Sequence, residues 1–358
     1  MTIATQPSAR PKLALADDDH EQIVVRQAAE SGLRLIVAVH STVLGPALGG
    51  MRVKMYPGAL REALDDVMGL ARTMTLKASA AGLDLGGGKA VMIDDGSHER
   101  REDRLEAAGR VIQSMRGAYI TAEDIGTTTA DMDFLSQFTR YVVGRSRERG
   151  GGGDPSPVTA ETVFQAIRHG LAAATGSDEL DGRRVGVVGL GKVGGVLAGR
   201  LADEGAEVIG CDLDAECAER LADEHGGTVA ASAQAILADE LDVLAPCAAG
   251  GLIDEVIASS IACKVVAGAA NNPLTGREVA RTLMQRRILY VPDFLANCGG
   301  LIHVSREWYG DAGPSEEALI GRAMDRLELA IETAETEGIP PVEVAERQAL
   351  ERVEAARP

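Results

Sequence analysis

Two lysines stand twelve residues apart in Lys77-Ala-Ser-Ala-Ala-Gly-Leu-Asp-Leu-Gly-Gly-Gly-Lys89, across a loop too glycine-rich to be a packing element. Gly86 to Gly88 let backbone approach a ligand and present N–H groups, and Lys89 opens the apolar run Ala90 to Ile93, a strand. Two ammonium groups facing one cleft bind a carboxylate and lower each other's pKa. The competing reading is a surface turn with two solvated lysines. A second constellation, Gly189-Leu190-Gly191-Lys192-Val193-Gly194, is G-x-G-x-x-G, and Asp212 follows Gly189 by 23 positions. Such a turn seats a pyrophosphate on the N–H groups of a helix N-terminus, while the acid accepts the ribose hydroxyls and repels a 2′-phosphate. Asp214 and Glu216 follow without a neighbouring arginine, which favours NAD over NADP. Alone the hexapeptide is a weak signal; a glycine-rich turn in an unrelated α/β unit is the alternative.

The elements that must position these groups alternate. Leu35 to His40 reads as a strand, and Leu60, Ala63, Leu64, Val67, Leu70, Ala71 and Met74 recur at helical spacing toward Lys77. A helix over about 99–115 and a strand over Ala118 to Ala122, ending at Glu123-Asp124, complete the first half. Residues 144–157 have the composition of a chain crossing between domains, with Gly150 to Gly153 as its flexible part. Beyond it, Ser156-Pro157 suit the N-cap and first position of a helix over roughly 158–174, and Arg184 to Val188 is a strand leading into the fingerprint. The helix after the fingerprint carries Val193, Val196, Leu197 and Leu201 and is closed by Gly205; the returning strand runs from Ala206 to Gly210. Later apolar runs at 241–244, 265–266 and 288–291 each meet a loop of small or polar residues, where a doubly wound sheet binds its ligands. Two amphipathic helices follow from Ser315, one with the stripe Ala318, Leu319, Ala323, Leu327 and Ile331. The fold class is therefore α/β with two domains separated by a cleft. Residues 1–20 are read as a disordered extension, 21–143 as a substrate-binding and catalytic domain, and 144–333 as a Rossmann-type doubly wound NAD domain. The helix over 334–358 is expected to pack back on the first domain.

Composition excludes several classes. Among 358 residues, 36 basic against 54 acidic give a formal charge of -18, so nucleic acid and anionic membranes are repelled. No apolar core long enough for a signal peptide or a membrane span is seen, and the expected address is the cytoplasm. Cys211, Cys217, Cys247, Cys263 and Cys298 contain no Cys-x-x-Cys pair, and the histidines at 20, 40, 98, 169, 225 and 303 never fall three to five apart. Reduced thiols and no metal site are the expectation.

With these motifs in this order, the chain resembles the Glu/Leu/Phe/Val dehydrogenase family from about residue 20 to near 345. The segments that carry the likeness are Gly45-Pro-Ala-Leu-Gly-Gly50 with Arg52, Met74-Thr-Leu-Lys77, Gly82 to Lys89, Thr121 to Thr127, Ser156 to Thr159, Pro246-Cys-Ala, Gly268 to Asn272 and Pro292 to Gly300, which includes Asn297. The resemblance implies reversible oxidative deamination of an L-amino acid to its 2-oxo acid and ammonia, NAD accepting the hydride, in a homo-oligomer. It implies that Lys77 holds the substrate α-carboxylate, Lys89 is general base on the attacking water, and Asp124 carries protons for the amino group. Thr159, Asn271 and Asn272 are similar to family residues that position nicotinamide and substrate. Taken alone, Asp124 could be a helix N-cap and the asparagines a turn before Pro273. Cys298 stands where relatives commonly have alanine and is given no role.

Glutamate-specific members carry a lysine before the Gly-Gly-x-Arg segment, whereas this chain has Leu48 before Gly49-Gly50. Leu48, Ala122, Leu301 and Val304 match side-chain pocket positions of branched-chain members, and apolar walls cannot compensate a buried carboxylate. Leucine and valine differ by one methylene, worth about 1–3 kcal/mol in such a pocket. Branched-chain substrates are favoured. Phenylalanine is the runner-up, because Thr75-Leu-Lys77, 144–150 and 303–307 look closer to phenylalanine-type members. Ala249 and Arg306 depart from the family pattern. Two further alternatives are a 2-hydroxy acid dehydrogenase, for which His303 would be the only base, and a non-catalytic NAD-binding metabolite sensor.

Overall fold

The computed structural model describes residues 19–357 except 58, 95, 97, 98 and 249. The expected extension, His98 and Ala249 thus lie largely or wholly outside the described residues.

The first half is a five-stranded mixed sheet. Its elements are β1 (Gln22–Ala28), β2 (Leu33–Ser41), β3 (Ala47–Lys54), α1 (Ala59–Ala80), β4 (Gly86–Ile93), α2 (Arg101–Ser114), β5 (Tyr119–Glu123) and α3 (Thr129–Leu135). The order is β1-β2-β4-β3-β5, with β2 antiparallel to β1 and β4, and β3 parallel to β4 and β5. Lys89 therefore lies in the middle strand, flanked by β2 and β3.

Here the structure corrects the reading of the glycine triplet. Gly86 to Gly88 begin β4 and are buried; they are not a ligand loop. A Cβ on Gly86 would lie 1.8 Å from the Ser41 carbonyl oxygen, and one on Gly87 2.0 Å from the Thr75 backbone nitrogen. Absent side chains let β2 and α1 close directly onto the strand, bringing the helix that carries Lys77 against the strand that carries Lys89.

The second half contains α4 (Ser156–Thr175), β6 (Arg184–Val188), α5 (Lys192–Asp203), β7 (Glu207–Cys211), α6 (Ala215–His225), β8 (Thr228–Val229), α7 (Ala233–Leu237), β9 (Val243–Pro246), α8 (Glu255–Ala258), β10 (Val265–Val266), α9 (Arg277–Gln285) and β11 (Leu289–Tyr290). Its sheet order is β11-β10-β9-β6-β7-β8, and every pairing is parallel. Numbered from its own first strand this is 6-5-4-1-2-3, the doubly wound order of dinucleotide-binding folds. The order reverses between β6 and β9, the place where such sheets take their ligand. Helix α4 starts one residue or so before the expectation: Ser156 is its first residue, and Asp154 accepts from the Ser156 backbone N–H and hydroxyl.

The chain then continues through α10 (Asp293–Ala296), α11 (Gly299–Tyr309), α12 (Glu316–Glu337) and α13 (Pro341–Ala355). On α12 the stripe is buried except at Ala318, which is exposed because it lies in the first turn. Val196 of α5 is likewise on the outer face. Helix α13 lies against α1, where the Ser79 hydroxyl donates to the Ala349 carbonyl at 2.7 Å and Arg352 donates to Leu83 O and Asp84.

Two glycines on and beside α1 give opposite expectations. Gly87→Ala should lower stability to urea by about 1–3 kcal/mol or more, because backbone must move. Gly69→Ala, at an exposed helical site with open space around its Cβ position, should raise it by roughly 0.5–1 kcal/mol. Unfolding midpoints of the two variants, measured side by side, check both signs.

Candidate active site

A cleft of about 900 Å³ is lined from both halves of the molecule. Lys77, Lys89, Asp124, Leu48, Gly49, Ala122, Thr159, Val193, Asn271, Asn272, Leu301 and Val304 all border it. The two lysines that the sequence separates by a loop are thus brought to one wall, Lys77 in the last turn of α1 and Lys89 in β4.

Lys89 is buried, and its ammonium nitrogen lies 3.0 Å from Asp124 Oδ2. Asp124 follows the end of β5. It is not a helix cap: Thr128 caps α3 through a capping box with Asp131, while the Asp124 backbone N–H donates to the Thr127 hydroxyl. Gly50 makes the approach possible, since a Cβ there would lie 2.7 Å from the Asp124 Cβ.

Both lysines are held below the ordinary lysine pKa, but not chiefly by each other. Burial is the main cause at each, because a low-dielectric surround penalises the ammonium form. At Lys89 the charge and hydrogen bond of Asp124 oppose burial, Arg52 adds to the lowering and Asp66 opposes it. At Lys77, Cys298 and Asp293 oppose and Lys89 adds a smaller push downward. Burial lifts the Cys298 thiol to about 12, so near neutrality it is protonated and its charge is not there to oppose. Among the described residues the Lys77 ammonium makes no hydrogen bond or ion pair. A cation without a protein partner at a cleft wall suits an incoming carboxylate.

Apolar surface closes the cleft near this pair. Leu48, Ala122 and Leu301 are buried, and Val304 lies one turn on from Leu301 along α11. Gly299 and Gly300 let α11 approach α4: a Cβ on Gly299 would lie 2.2 Å from Val158 O, and one on Gly300 3.0 Å from the Thr159 hydroxyl. Asn271 accepts from the Asn297 amide at 3.0 Å. Asn272 adopts a left-handed backbone, φ 50°, and its N–H donates to Asp293 at 2.7 Å. The asparagine pair is therefore both a turn and a part of the cleft wall.

Around the dinucleotide fingerprint the three glycines differ. Gly189 has φ +100°, and its Cβ would meet Ala248 N at 2.7 Å; a Cβ on Gly194 would meet Gly189 O at 1.9 Å; a Cβ on Gly191 would meet nothing within 4 Å. One glycine makes the turn, one packs helix on strand, and the middle one opens onto free space, as a pyrophosphate requires. Gly191 is the N-cap of α5 with no side-chain cap bond, so the first-turn N–H groups of Lys192, Val193 and Gly194 are not covered by a side chain. Asp212, just past β7, accepts from Leu190 N–H at 2.6 Å and Asp214 N–H at 2.9 Å. The Asp214 N–H and the Leu190 N–H hold its carboxyl below the usual range against partial burial, so it is ionised at neutral pH. These residues fit an NAD molecule.

Of the three strand-end loops, those at 269–272 and 293–297 reach the cleft; Cys247 and Ala248 pack on Gly189 instead. His303 does not line the cleft. Its Nδ1 is 2.8 Å from Glu316 and its Nε2 lies against Gly152, so among the described residues no histidine lines the site.

Several cleft residues were given no role by the sequence, Arg52, Asn297 and Asp66 among them. Arg52 and Asn297 lie inside motifs that carry the family likeness, and Asp66 sits one helical turn before Leu70 in α1. Arg52 contacts both Asp124 and Asp66. Asn297 is buried with its Oδ1 unpaired. An arginine after two glycines was the available signal for the first; nothing local marks Asp66, because its partner lies in another strand.

Comparison with known proteins places the chain in a family. Residues 20–141 match the family described as Glu/Leu/Phe/Val dehydrogenase, dimerisation domain, and residues 214–357 match the one described as Glutamate/Leucine/Phenylalanine/Valine dehydrogenase. The chain is 42% identical to a leucine dehydrogenase of Geobacillus stearothermophilus over 95% of its own length and 92% of the relative's. It is 43% identical to a valine dehydrogenase of Streptomyces virginiae, covering 94% of this chain and 95% of the other. The crystal structure of L-tryptophan dehydrogenase from Nostoc punctiforme superposes with a TM-score of 0.83 at 33% identity, covering 96% and 98% of the two chains. On sequence, fold order and cleft geometry together, the chain belongs to the Glu/Leu/Phe/Val dehydrogenase family.

Proposed function

We infer that the protein catalyses NAD-dependent, reversible oxidative deamination of a branched-chain L-amino acid, leucine or valine, to its 2-oxo acid and ammonia. The observation that carries this reading is the 3.0 Å contact of buried Lys89 with Asp124, beside an unpaired Lys77 and the apolar walls Leu48, Ala122, Leu301 and Val304.

Lys77 binds the substrate α-carboxylate, and Thr159, Asn271 and Asn272 orient substrate and cofactor at the cleft rim. NAD, when bound on the Gly189–Gly194 turn and Asp212, supplies the hydride acceptor. Lys89, whose pKa burial lowers, takes in its neutral form a proton from the water that adds to the iminium carbon. Asp124 moves protons to and from the nitrogen, which departs as ammonia. Leu48 offers a side-chain carboxylate no cation where it lines the cleft, which disfavours glutamate. The family's dimerisation domain spans 20–141, so a homo-oligomer is proposed, working in the cytoplasm on small molecules only.

An NADH absorbance screen over leucine, valine, isoleucine, phenylalanine and glutamate tests the substrate. Leucine or valine should give the highest kcat/KM and glutamate none; phenylalanine in first place would move the enzyme to the runner-up class, and turnover of 2-hydroxyisocaproate alone would discard the amino-acid reading. Lys89→Ala should lose about 10²–10⁴-fold in kcat while NAD binding, followed by fluorescence, is retained. Asp212→Ala should raise the KM for NAD with bound-state chemistry spared. Because the base must be neutral, kcat should rise with pH on an acid limb set by Lys89, whose pKa burial lowers; a rate that falls over that range would contradict the assignment.

A further inference from the structure

Lys89 and Asp124 are the inner end of a longer chain of polar side chains. Arg52, in β3, donates from Nε to Asp124 Oδ2 at 3.0 Å, the same oxygen that Lys89 Nζ approaches at 3.0 Å. The other side of the guanidinium is held too: Arg52 Nη1 lies 3.3 Å and 3.1 Å from the two Asp66 oxygens. Asp66 Oδ2 in turn accepts from the Tyr56 hydroxyl at 2.6 Å. The series Tyr56, Asp66, Arg52, Asp124, Lys89 thus crosses from the loop after β3, through α1 and β3, to the end of β5 and the middle of β4.

This arrangement divides the two Asp124 oxygens. Oδ2 is occupied twice, whereas Oδ1 accepts nothing among the described residues. A guanidinium clamped between two carboxylates has its plane fixed, because each N–H direction is rigid with respect to the others. Arg52 is partly buried, its side chain 15% exposed, so both carboxylates hold it largely out of water.

We propose that Asp66 and Tyr56 are positioning residues for the reaction: by anchoring Arg52 they fix Asp124 Oδ2 on Lys89 and leave Oδ1 directed to the substrate amino group. The proposal rests on Lys89 as the base and Asp124 as the proton carrier. It assigns no contact with substrate to Asp66 or Tyr56; they act through Arg52.

The charges facing Lys89 are Asp124 from beyond β5, Arg52 from β3 and Asp66 from α1; Lys77 shares the cleft from α1, and Asp293 of the other half faces Lys77. Asp66 favours the protonated lysine and Arg52 disfavours it. Loss of the Asp66 charge therefore makes Lys89 give up its proton more easily.

The test is a set of pH profiles of kcat on Asp66→Asn, Asp66→Glu and Tyr56→Phe. Asp66→Asn should lower kcat about tenfold through loss of alignment and move the acid limb to lower pH by on the order of half a unit. Asp66→Glu, which restores the charge, should return the limb to its wild-type position. Tyr56→Phe keeps every charge; the limb should stay and kcat should fall by roughly twofold to fivefold, with the KM for NAD unchanged. Wild-type kcat and limb position in both Asp66→Asn and Tyr56→Phe, with only a lower unfolding midpoint, would reduce the chain to scaffold and overturn the proposal. If Asp66→Asn does not fold, a wild-type kcat in Tyr56→Phe overturns it alone. Turnover surviving in Lys89→Ala would instead remove the base assignment, and the anchor with it, and is distinguished by that variant.

Discussion

A lysine in the middle of a buried strand cannot carry an uncompensated charge, and most of the first sheet is arranged around that constraint at Lys89. Burial drives its ammonium toward the neutral amine; one carboxylate at 3.0 Å keeps the proton within reach. Neither effect alone makes a base. Burial without Asp124 would strand a neutral amine with nowhere to pass its proton, and Asp124 without burial would hold the ammonium charged. The strands must come unusually close for both to act on one atom. Gly49 and Gly50 in β3 and Gly86 to Gly88 in β4 supply that closeness, since a Cβ on Gly49 would lie 1.8 Å from Gly88 O and one on Gly50 2.7 Å from the Asp124 Cβ.

The dinucleotide half solves a different problem, which is to expose backbone and hide nothing behind it. Gly191 opens onto space at the N-terminus of α5, and Asp212 stays ionised by accepting two backbone N–H groups. These features share no hydrogen bond or ion pair with the lysine pair among the described residues. What joins them is α11: its first residues pack on α4 beside Thr159, and Leu301 and Val304 extend from it into the substrate cleft.

The second half was legible in the sequence nearly strand by strand, because short apolar runs bounded by glycine and acid recur there with little distraction. In the first half β1 and β3 were missed. β3, Ala47–Lys54, holds two glycines and two cations and no alternation, since it is buried by neighbours on both edges and its glycines serve packing. β1 is an edge strand with an exposed, mixed face and a weak pattern. Lys77, Lys89 and Asp124 could be singled out, since their residue types are unusual beside glycine or at a strand end. Asp66 could not: it looks like any solvated helix carboxylate until β3 sets Arg52 against it.

The linker shows where composition misleads. Four consecutive glycines at 150–153 suggest a hinge, yet each has a structural reason. Gly150 and Gly153 adopt φ near +80°, a Cβ on Gly151 would lie 2.0 Å from Arg145 O, and one on Gly152 2.4 Å from His303 Nε2. The segment is further tied down by Glu307 of α11, which accepts from the Gly144 and Arg145 backbone N–H groups and from the Arg145 guanidinium. These are the glycines of a strap fitted against a helix, and a strap that grips α11 also holds Leu301 and Val304 in place. Freedom between the two halves must then be sought elsewhere along the two connections, this one and the passage from α12 into α13. At the second, Pro340 precedes a helix that α1 grips through Ser79. The helix bearing Lys77 is thus braced from behind by α13, through Ser79 to Ala349 and Arg352 to Leu83 and Asp84.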